Sequence, residues 1–262
     1  MSMTLLKIIA VIAMFVDHIG QFIPNSPEWF HFIGRIAVPI FIFGVVVGYE
    51  HTTNRKKYLL RLYVANLGMA FIVFLLNMIF KEDYYLTNNF FTTLFLIVFI
   101  INLLRKKQFK YIILFLMWQI LTLFGLVFLV EILNFPNFQM EAATYFWGSI
   151  FGNILFTEGG PLFILLGVSL YFVHKRKINV FVLYSLFSFC IYYLTHRLTF
   201  LYFNPDNDIL FPFADYQWMM IIAVPLLLLY NSKKGIGLKY FFYIFYPGHI
   251  VILFLLGIYL QP

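Results

Sequence analysis

The 262-residue chain is 63% hydrophobic and 22% aromatic, with only 11% of its residues charged, a balance that excludes a water-soluble globular protein, where about a quarter of residues are charged. Helices of about 20 residues each leave no room for a substantial soluble domain beside them, so one integral membrane domain over 1–262 is expected. The net charge of +7 falls in short loops between apolar runs, where it reports topology and not a nucleic-acid partner, and the single Cys190 excludes an intramolecular disulfide or a thiolate metal cluster.

The first apolar run, 4–23, lacks a basic leader and a small-residue cleavage site and is expected to stay as a membrane segment. Further runs follow at 30–49, 58–80, 89–104, 111–133, 159–173, 178–196, 216–230 and 240–260. They predict an all-α, polytopic transmembrane helix bundle of about nine crossings. The stretch 142–158, "AATYFWGSIFGNILFTE", is semi-polar and ends at Gly159-Gly160-Pro161, which breaks a helix. It reads as re-entrant or interfacial, with a tenth crossing as the alternative.

Orientation follows from the basic residues. The loops "NRKK" (54–57), "RKKQFK" (105–110), "HKRK" (174–177) and "NSKKGIGLK" (231–239) hold 3, 4, 3 and 3 of the 18 lysines and arginines, and the alternate loops hold only Lys81 and Arg197. This bias predicts a cytoplasmic amino terminus. Lys7, Arg35 and Arg61 remain, inside apolar runs, and need partners or a purpose.

In "LLKIIAVIAMFVDHIGQFI" (5–23), Lys7 and His18 stand eleven positions apart, so they share one helix face roughly 16 Å apart along the axis. Asp17 is rotated about 100° from His18. It is badly placed to hold that imidazole and is expected to meet Arg35 of the second helix. Each residue also has a structural reading: an Asp–Arg pair is a lock, a histidine is an interhelical hydrogen bonder, and Lys7 or Arg61 snorkels. As a set, Asp17, His18 and Arg35 are read as a functional site, because intramembrane ionisable groups are costly to keep.

Near the carboxyl end, in "FFYIFYPGHIVIL", Pro247 and Gly248 loosen the helix beside His249, and Tyr243, Tyr246 and His249 recur at spacing three. Tyr246 and His249 are candidate cavity-lining residues, with an interhelical hydrogen bond as the other reading of His249. Asn89 and Thr92 open the fourth run, where substrate contact and a helix cap are both open. His31, His51, His174 and His196 fall at predicted boundaries and read as solvated or aromatic-belt positions. Zinc spacing, HExxH, a phosphate loop and Gly-x-Ser-x-Gly are all absent from the sequence.

The segments "LKIIAVIAMFVDHIG", "IGRIAVPIFIFGVVVGYEHTTNRKKYLLRL", "NNFFTTLF" and "LKYFFYIFYPGHIVILFLL" resemble the TraX family of bacterial membrane proteins, the conjugal pilin acetylases, and leave about 105–235 without a match. A weaker likeness is to the membrane acyltransferases of bacterial surface glycans, in which a basic residue precedes a histidine by the spacing of Lys7 and His18. Arg35, Phe41, Phe43 and Gly44 hold places comparable to the elements that follow in those proteins. The resemblance implies acetyl transfer from cytosolic acetyl-CoA to a pilin-like peptide amine, a glycan or a lipid. His18 would be the base or acyl carrier, Arg35 would steady the oxyanion or neutralise Asp17, and Lys7, Lys57, Tyr58 and Arg61 would hold the coenzyme A phosphates.

Two rivals fit the same residues: a proton-coupled transporter or exporter, and a non-catalytic assembly or immunity protein in which the ion pairs are packing locks. The topology itself is testable. A reporter fused after Lys110 or Lys177 is expected in the cytoplasm and one fused near Asp83 or Asp206 outside; the same side for 83 and 110 would remove the crossing between them.

Overall fold

The structure, a computed structural model, describes residues 1–80, 86–132, 137–197 and 214–260. Lys81, Asp83 and Asp206, which mark expected external loops, lie outside the described residues, as do the side chains of His196 and Arg197. Among the described residues every regular element is helical: α1 (Met3–Phe22), α2 (Trp29–Gly34), α3 (Ala37–Glu50), α4 (Arg55–Ile79), α5 (Phe90–Arg105), α6 (Phe109–Ile132), α7 (Asn137–Phe151), α8 (Gly160–Val173), α9 (Lys177–Arg197), α10 (Ala214–Gln217), α11 (Val224–Leu228) and α12 (Lys239–Leu260), with 3-10 turns at Ile154–Phe156 and Trp218–Ala223.

All nine apolar runs form helix. Among the described residues six spans are long and apolar enough to cross a membrane: Met3–Phe22, Trp29–Glu50, Arg55–Ile79, Phe109–Leu129, Lys177–Thr195 and Tyr240–Leu260. The other three runs give shorter apolar helices, Phe90–Arg105, Gly160–Val173 and Trp218–Leu228, each below the length of about 20 residues that a straight crossing takes. Of the nine expected crossings, six have helices of spanning length among the described residues. The run 30–49 is also not one helix, because it turns at Arg35 and Ile36 between α2 and α3. Pro39 explains the interruption: it has no N–H to offer the Arg35 carbonyl four residues back, and its ring crowds that group.

The chain divides into two compact units, Met1–Gly48 with Ser169–Asp208 and Phe213–Pro262, and Tyr49–Val168 with Ile209–Pro212. In the first unit α1 packs against α2 and α12. Its amino end is closed by the 231–238 segment, since the Met3 and Thr4 amides donate to the Lys233 and Lys234 carbonyls at 2.8 and 3.1 Å and the Thr4 hydroxyl donates to Lys234 O and Ile236 O. These are amides that a helix start leaves without intrahelical partners.

In the second unit α4 packs against α5 and α7, and α6 against α7. The semi-polar stretch forms the end of α7, Gly152 at φ 66°, and the short 3-10 turn. The carbonyls at this helix end are accounted for one by one. Gly148 O accepts from the Asn153 amide at 2.9 Å, Ser149 O from Asn66 Nδ2 at 2.8 Å, Ile150 O from the Tyr63 hydroxyl at 2.9 Å, Phe151 O from Trp118 Nε1 at 2.8 Å, and Gly152 O from Gln119 Nε2 at 3.0 Å. Side chains of α4 and α6 thus supply the donors for four of these five carbonyls, the part that water or an intrahelical amide plays at most helix ends.

Asn66 is the centre of the polar core beside that end. Its Oδ1 accepts from Asn89 Nδ2 at 2.8 Å and from the Thr92 hydroxyl at 2.6 Å, and Asn66 and Thr92 are fully buried. Asn66→Leu would strand the Ser149 carbonyl, at about 1–3 kcal/mol for a buried group left without a partner, and would take one hydrogen bond each from the Asn89 amide and the Thr92 hydroxyl, which keep Ser149 Oγ. Thermal unfolding in detergent is expected to show a clearly lower midpoint, and an unchanged midpoint would show that the cluster is not structural.

Candidate functional site

The geometry at the end of α1 starts from the 100° that separates neighbouring helix positions. Asp17 and His18 are adjacent in sequence, so they face different neighbours: Asp17 faces α2 and His18 faces α12. The Asp17 carboxylate takes Arg35 Nη2 at 3.1 Å on both of its oxygens, and its Oδ1 also accepts from His31 Nδ1 at 2.8 Å. Arg35 is buried, and its Nε donates back to the His31 carbonyl at 3.0 Å. One guanidinium nitrogen therefore spans the carboxylate while another fixes the turn where α2 stops. Asp17 reaches this place because Gly34 has no side chain; a Cβ there would fall on the Asp17 carboxylate carbon.

The Asp17–Arg35 pairing matches the sequence expectation, whereas His31, read there as a boundary residue, is a member of the cluster. Its signal was available: His31 and Arg35 are four positions apart, which on a helix puts them on one face.

On the other side of α1, His18 Nδ1 lies 2.7 Å from His249 Nε2, and His249 Nδ1 lies 2.7 Å from the Phe245 carbonyl. Both imidazoles are buried, at 5% and 4% exposure. The proton positions follow from the carbonyl, which can only accept. His249 must therefore carry its proton on Nδ1. Neutral His249 then presents a lone pair at Nε2, so His18 donates from Nδ1, and neutral His18 keeps a lone pair on Nε2. Among the described residues that nitrogen has no hydrogen-bond partner. Sequence reasoning named both histidines as separate candidates, and the structure brings them into one pair.

The approach of α12 has its own cause. At Gly257 a Cβ would fall on the Phe22 carbonyl oxygen, so the two helices meet backbone to backbone near the end of α1. Pro247, inside α12, removes one helix hydrogen bond two residues before His249. Tyr246 is buried with its ring 5.8 Å from that of His249, edge to face.

The residues expected to hold a phosphate lie in different surroundings. Lys7, on the face of α1 that also carries His18, is half-buried, with its Cε against Gly44 and its ammonium 5.7 Å from the Phe242 ring centre. Among the described residues no carboxylate pairs with it. In the second unit the Arg61 guanidinium stands 5.5 Å from the Tyr58 ring centre. Arg61 Nε is buried without a hydrogen-bond partner among the described residues, and Lys57 is exposed.

Asn89 and Thr92 belong to the buried network around Asn66 and Ser149, also in the second unit. The cap reading of Asn89 is corrected: it holds the position before α5, but its side chain makes no capping bond and turns to Asn66 and Ser149. Among the described residues no group of three or more His, Cys, Asp or Glu side chains is placed to hold a metal ion.

Residues 2–257 match the family described as "TraX protein", so the match runs through the middle of the chain that the quoted segments left open. A stretch of 61 residues is 39% identical to "Probable fimbrial assembly protein FimC, serogroup H1" of Dichelobacter nodosus, covering 22% of this chain and 25% of that protein. The chain thus aligns with about a quarter of the length of that curated relative. No solved structure matches it. With several helices apolar enough to cross a membrane and a family match over nearly its whole length, the chain belongs to the TraX family of membrane proteins.

Proposed function

We propose that the protein is a membrane acyltransferase that moves an acetyl group from cytosolic acetyl-CoA to an acceptor amine or hydroxyl at the membrane or its outer face, with His18 as the reacting imidazole. The observation that carries this reading is the tautomer forced by the Phe245 carbonyl: through His249 it directs the free lone pair of His18 to Nε2. A fixed imidazole with one open basic nitrogen is what base catalysis near neutral pH asks for.

In the simplest route Nε2 takes the proton of the acceptor N–H or O–H as that atom attacks the thioester carbonyl. The C–S bond then breaks, and the protonated imidazole returns the proton to the departing coenzyme A thiolate. In the alternative, Nε2 attacks the thioester itself and the C–S bond breaks to release the coenzyme A thiolate; the acetyl-imidazolium then gives the acetyl group to the acceptor, whose proton goes to the thiolate. Both routes use the same nitrogen. Arg35 is proposed to keep Asp17 charged and in place, since its Nε and Nη2 are committed to His31 O and the carboxylate.

Lys7, three turns from His18 on the same helix face, is proposed to bind a coenzyme A phosphate, and Lys57, Tyr58 and Arg61 on α4 form a second basic and aromatic surface suited to phosphate. The name of the Dichelobacter relative supports a pilin-like peptide amine as acceptor ahead of a glycan or lipid. The expected setting is the bacterial cytoplasmic membrane with the amino terminus inside.

Purified protein with labelled acetyl-CoA and a pilin-like peptide tests the reading. Saturable transfer is expected; absence of any coenzyme A interaction would favour a transporter or an assembly protein. His18→Gln keeps hydrogen bonding but loses the proton acceptor, so transfer is expected to fall by about 10²–10⁴ while coenzyme A binding remains. His249→Phe, which removes the acceptor that orients His18, is expected to cost less than His18→Gln but still lower the rate at saturating substrate. Arg35→Lys keeps the charge but cannot span the carboxylate and the His31 carbonyl together, so severe loss of activity with normal membrane insertion is expected. Wild-type transfer by His18→Gln would move the base elsewhere.

A further inference from the structure

The second unit holds a groove of about 530 Å³ between α5 and α6. Its walls are Phe95, Phe99 and Leu103 from α5 and Tyr111, Phe115 and Trp118 from α6, and its inner end is closed by the end of α7 at Gly152. No ionisable acid or base lines it apart from the phenols of Tyr63 and Tyr111, and the Tyr63 hydroxyl and the Trp118 indole N–H are already spent on α7 carbonyls. The groove therefore offers apolar surface and no free hydrogen-bond donor in its depth. Polar ligands gain nothing there.

Its mouth is different. Tyr111 lies beside the α5–α6 loop, and the ammonium groups of Lys106 and Lys110 stand 4.5 and 5.2 Å from its ring centre. With Lys107 they are exposed, and among the described residues no carboxylate pairs with any of the three. A loop this basic between two apolar helices lies at a membrane surface. From Tyr111 to Trp118 is seven residues, about 10 Å along the helix, which falls within one leaflet of a hydrocarbon core about 30 Å thick.

We propose that this groove holds one acyl chain of an anionic phospholipid, its headgroup phosphate paired with Lys106, Lys107 and Lys110. The occupant is set by two complementarities at once: apolar walls that stay within one leaflet, and unpaired positive charge only at the mouth. This proposal does not depend on the acyltransfer reading.

Trp118, inside the groove, is the reporter. The protein carries four tryptophans, and changing Trp29, Trp147 and Trp218 to Phe leaves Trp118 alone. The variant is placed in vesicles of phosphatidylcholine containing a minor fraction of chain-brominated phosphatidylglycerol or, in parallel, the same fraction of chain-brominated phosphatidylcholine. Brominated phosphatidylglycerol is expected to quench Trp118 several-fold beyond its mole fraction, and brominated phosphatidylcholine only in proportion to it. Lys106→Gln, Lys107→Gln and Lys110→Gln together should bring the two lipids level.

Equal quenching by the two lipids in the unsubstituted loop means ordinary contact with the surrounding bilayer and overturns the proposal. An excess that survives the triple substitution overturns the headgroup pairing. A Trp118 shielded from both lipids means that protein covers the groove, which also overturns it. Should the single-tryptophan variant not fold, native mass spectrometry of the otherwise unaltered protein, with and without the three glutamines, counts retained phosphatidylglycerol; retention is expected only with the lysines present, and equal retention sinks the idea.

Discussion

Adjacent residues on a helix cannot face the same neighbour, and the first unit is arranged around that constraint. With about 100° between them, Asp17 and His18 are each given a helix of their own. α2 brings Arg35 and His31 to the carboxylate, and α12 brings His249 to the imidazole. Both approaches require a missing side chain at the contact, at Gly34 against Asp17 and at Gly257 against the Phe22 carbonyl. A charged carboxylate in an apolar span is expensive unless paired, and Arg35 with the His31 N–H supplies that pairing.

The second unit meets the same need with neutral groups. A helix that stops among apolar neighbours leaves its last carbonyls in need of donors, and α7 ends with Asn66, Tyr63, Trp118 and Gln119 each donating to one of them. This arrangement commits α6 to α7 through Trp118, Gln119 and Thr122, which also binds Asn153. Elsewhere α6 presents most of its surface outward, only 11% of its apolar span being buried. The groove beside α5 is a consequence: α6 is anchored at the end of α7 and touches α5 sparingly.

Much of this was legible in the sequence because it depends on local periodicity. Every apolar run became helix, and the partner of Asp17 followed from its rotation away from His18 toward the second helix. What was not legible depends on which helices become neighbours. His18 and His249 are 231 positions apart, and nothing in either segment states that α1 and α12 pack together. His31 was within reach of local reasoning but resembled a boundary aromatic. Asn66 sits alone in the apolar "LYVANLGMAF", and only the fold reveals that Asn89, Thr92 and Ser149 surround it. The runs 89–104, 159–173 and 216–230 count as crossings on composition, but the apolar helices they form, Phe90–Arg105, Gly160–Val173 and Trp218–Leu228, are shorter than a straight span takes.

The two sides of α1 also bear on what kind of machine the cluster can be. A proton path through a transporter needs an entrance and an exit, with each group able to pass on what it receives. The histidine pair has one open end. Its other end is the Phe245 carbonyl, which accepts a hydrogen bond from His249 but cannot take the proton and release another. A hydrogen-bond chain that stops on the backbone cannot conduct; it holds the imidazoles in one tautomer and one orientation, the role a buried orienting group plays for a catalytic histidine. Asp17 does not reopen the path, because its oxygens are engaged by Arg35 and His31 on the opposite side of the helix. The geometry is that of an imidazole held with its Nε2 lone pair open, which suits the proposed chemistry at His18 better than a proton path through the pair.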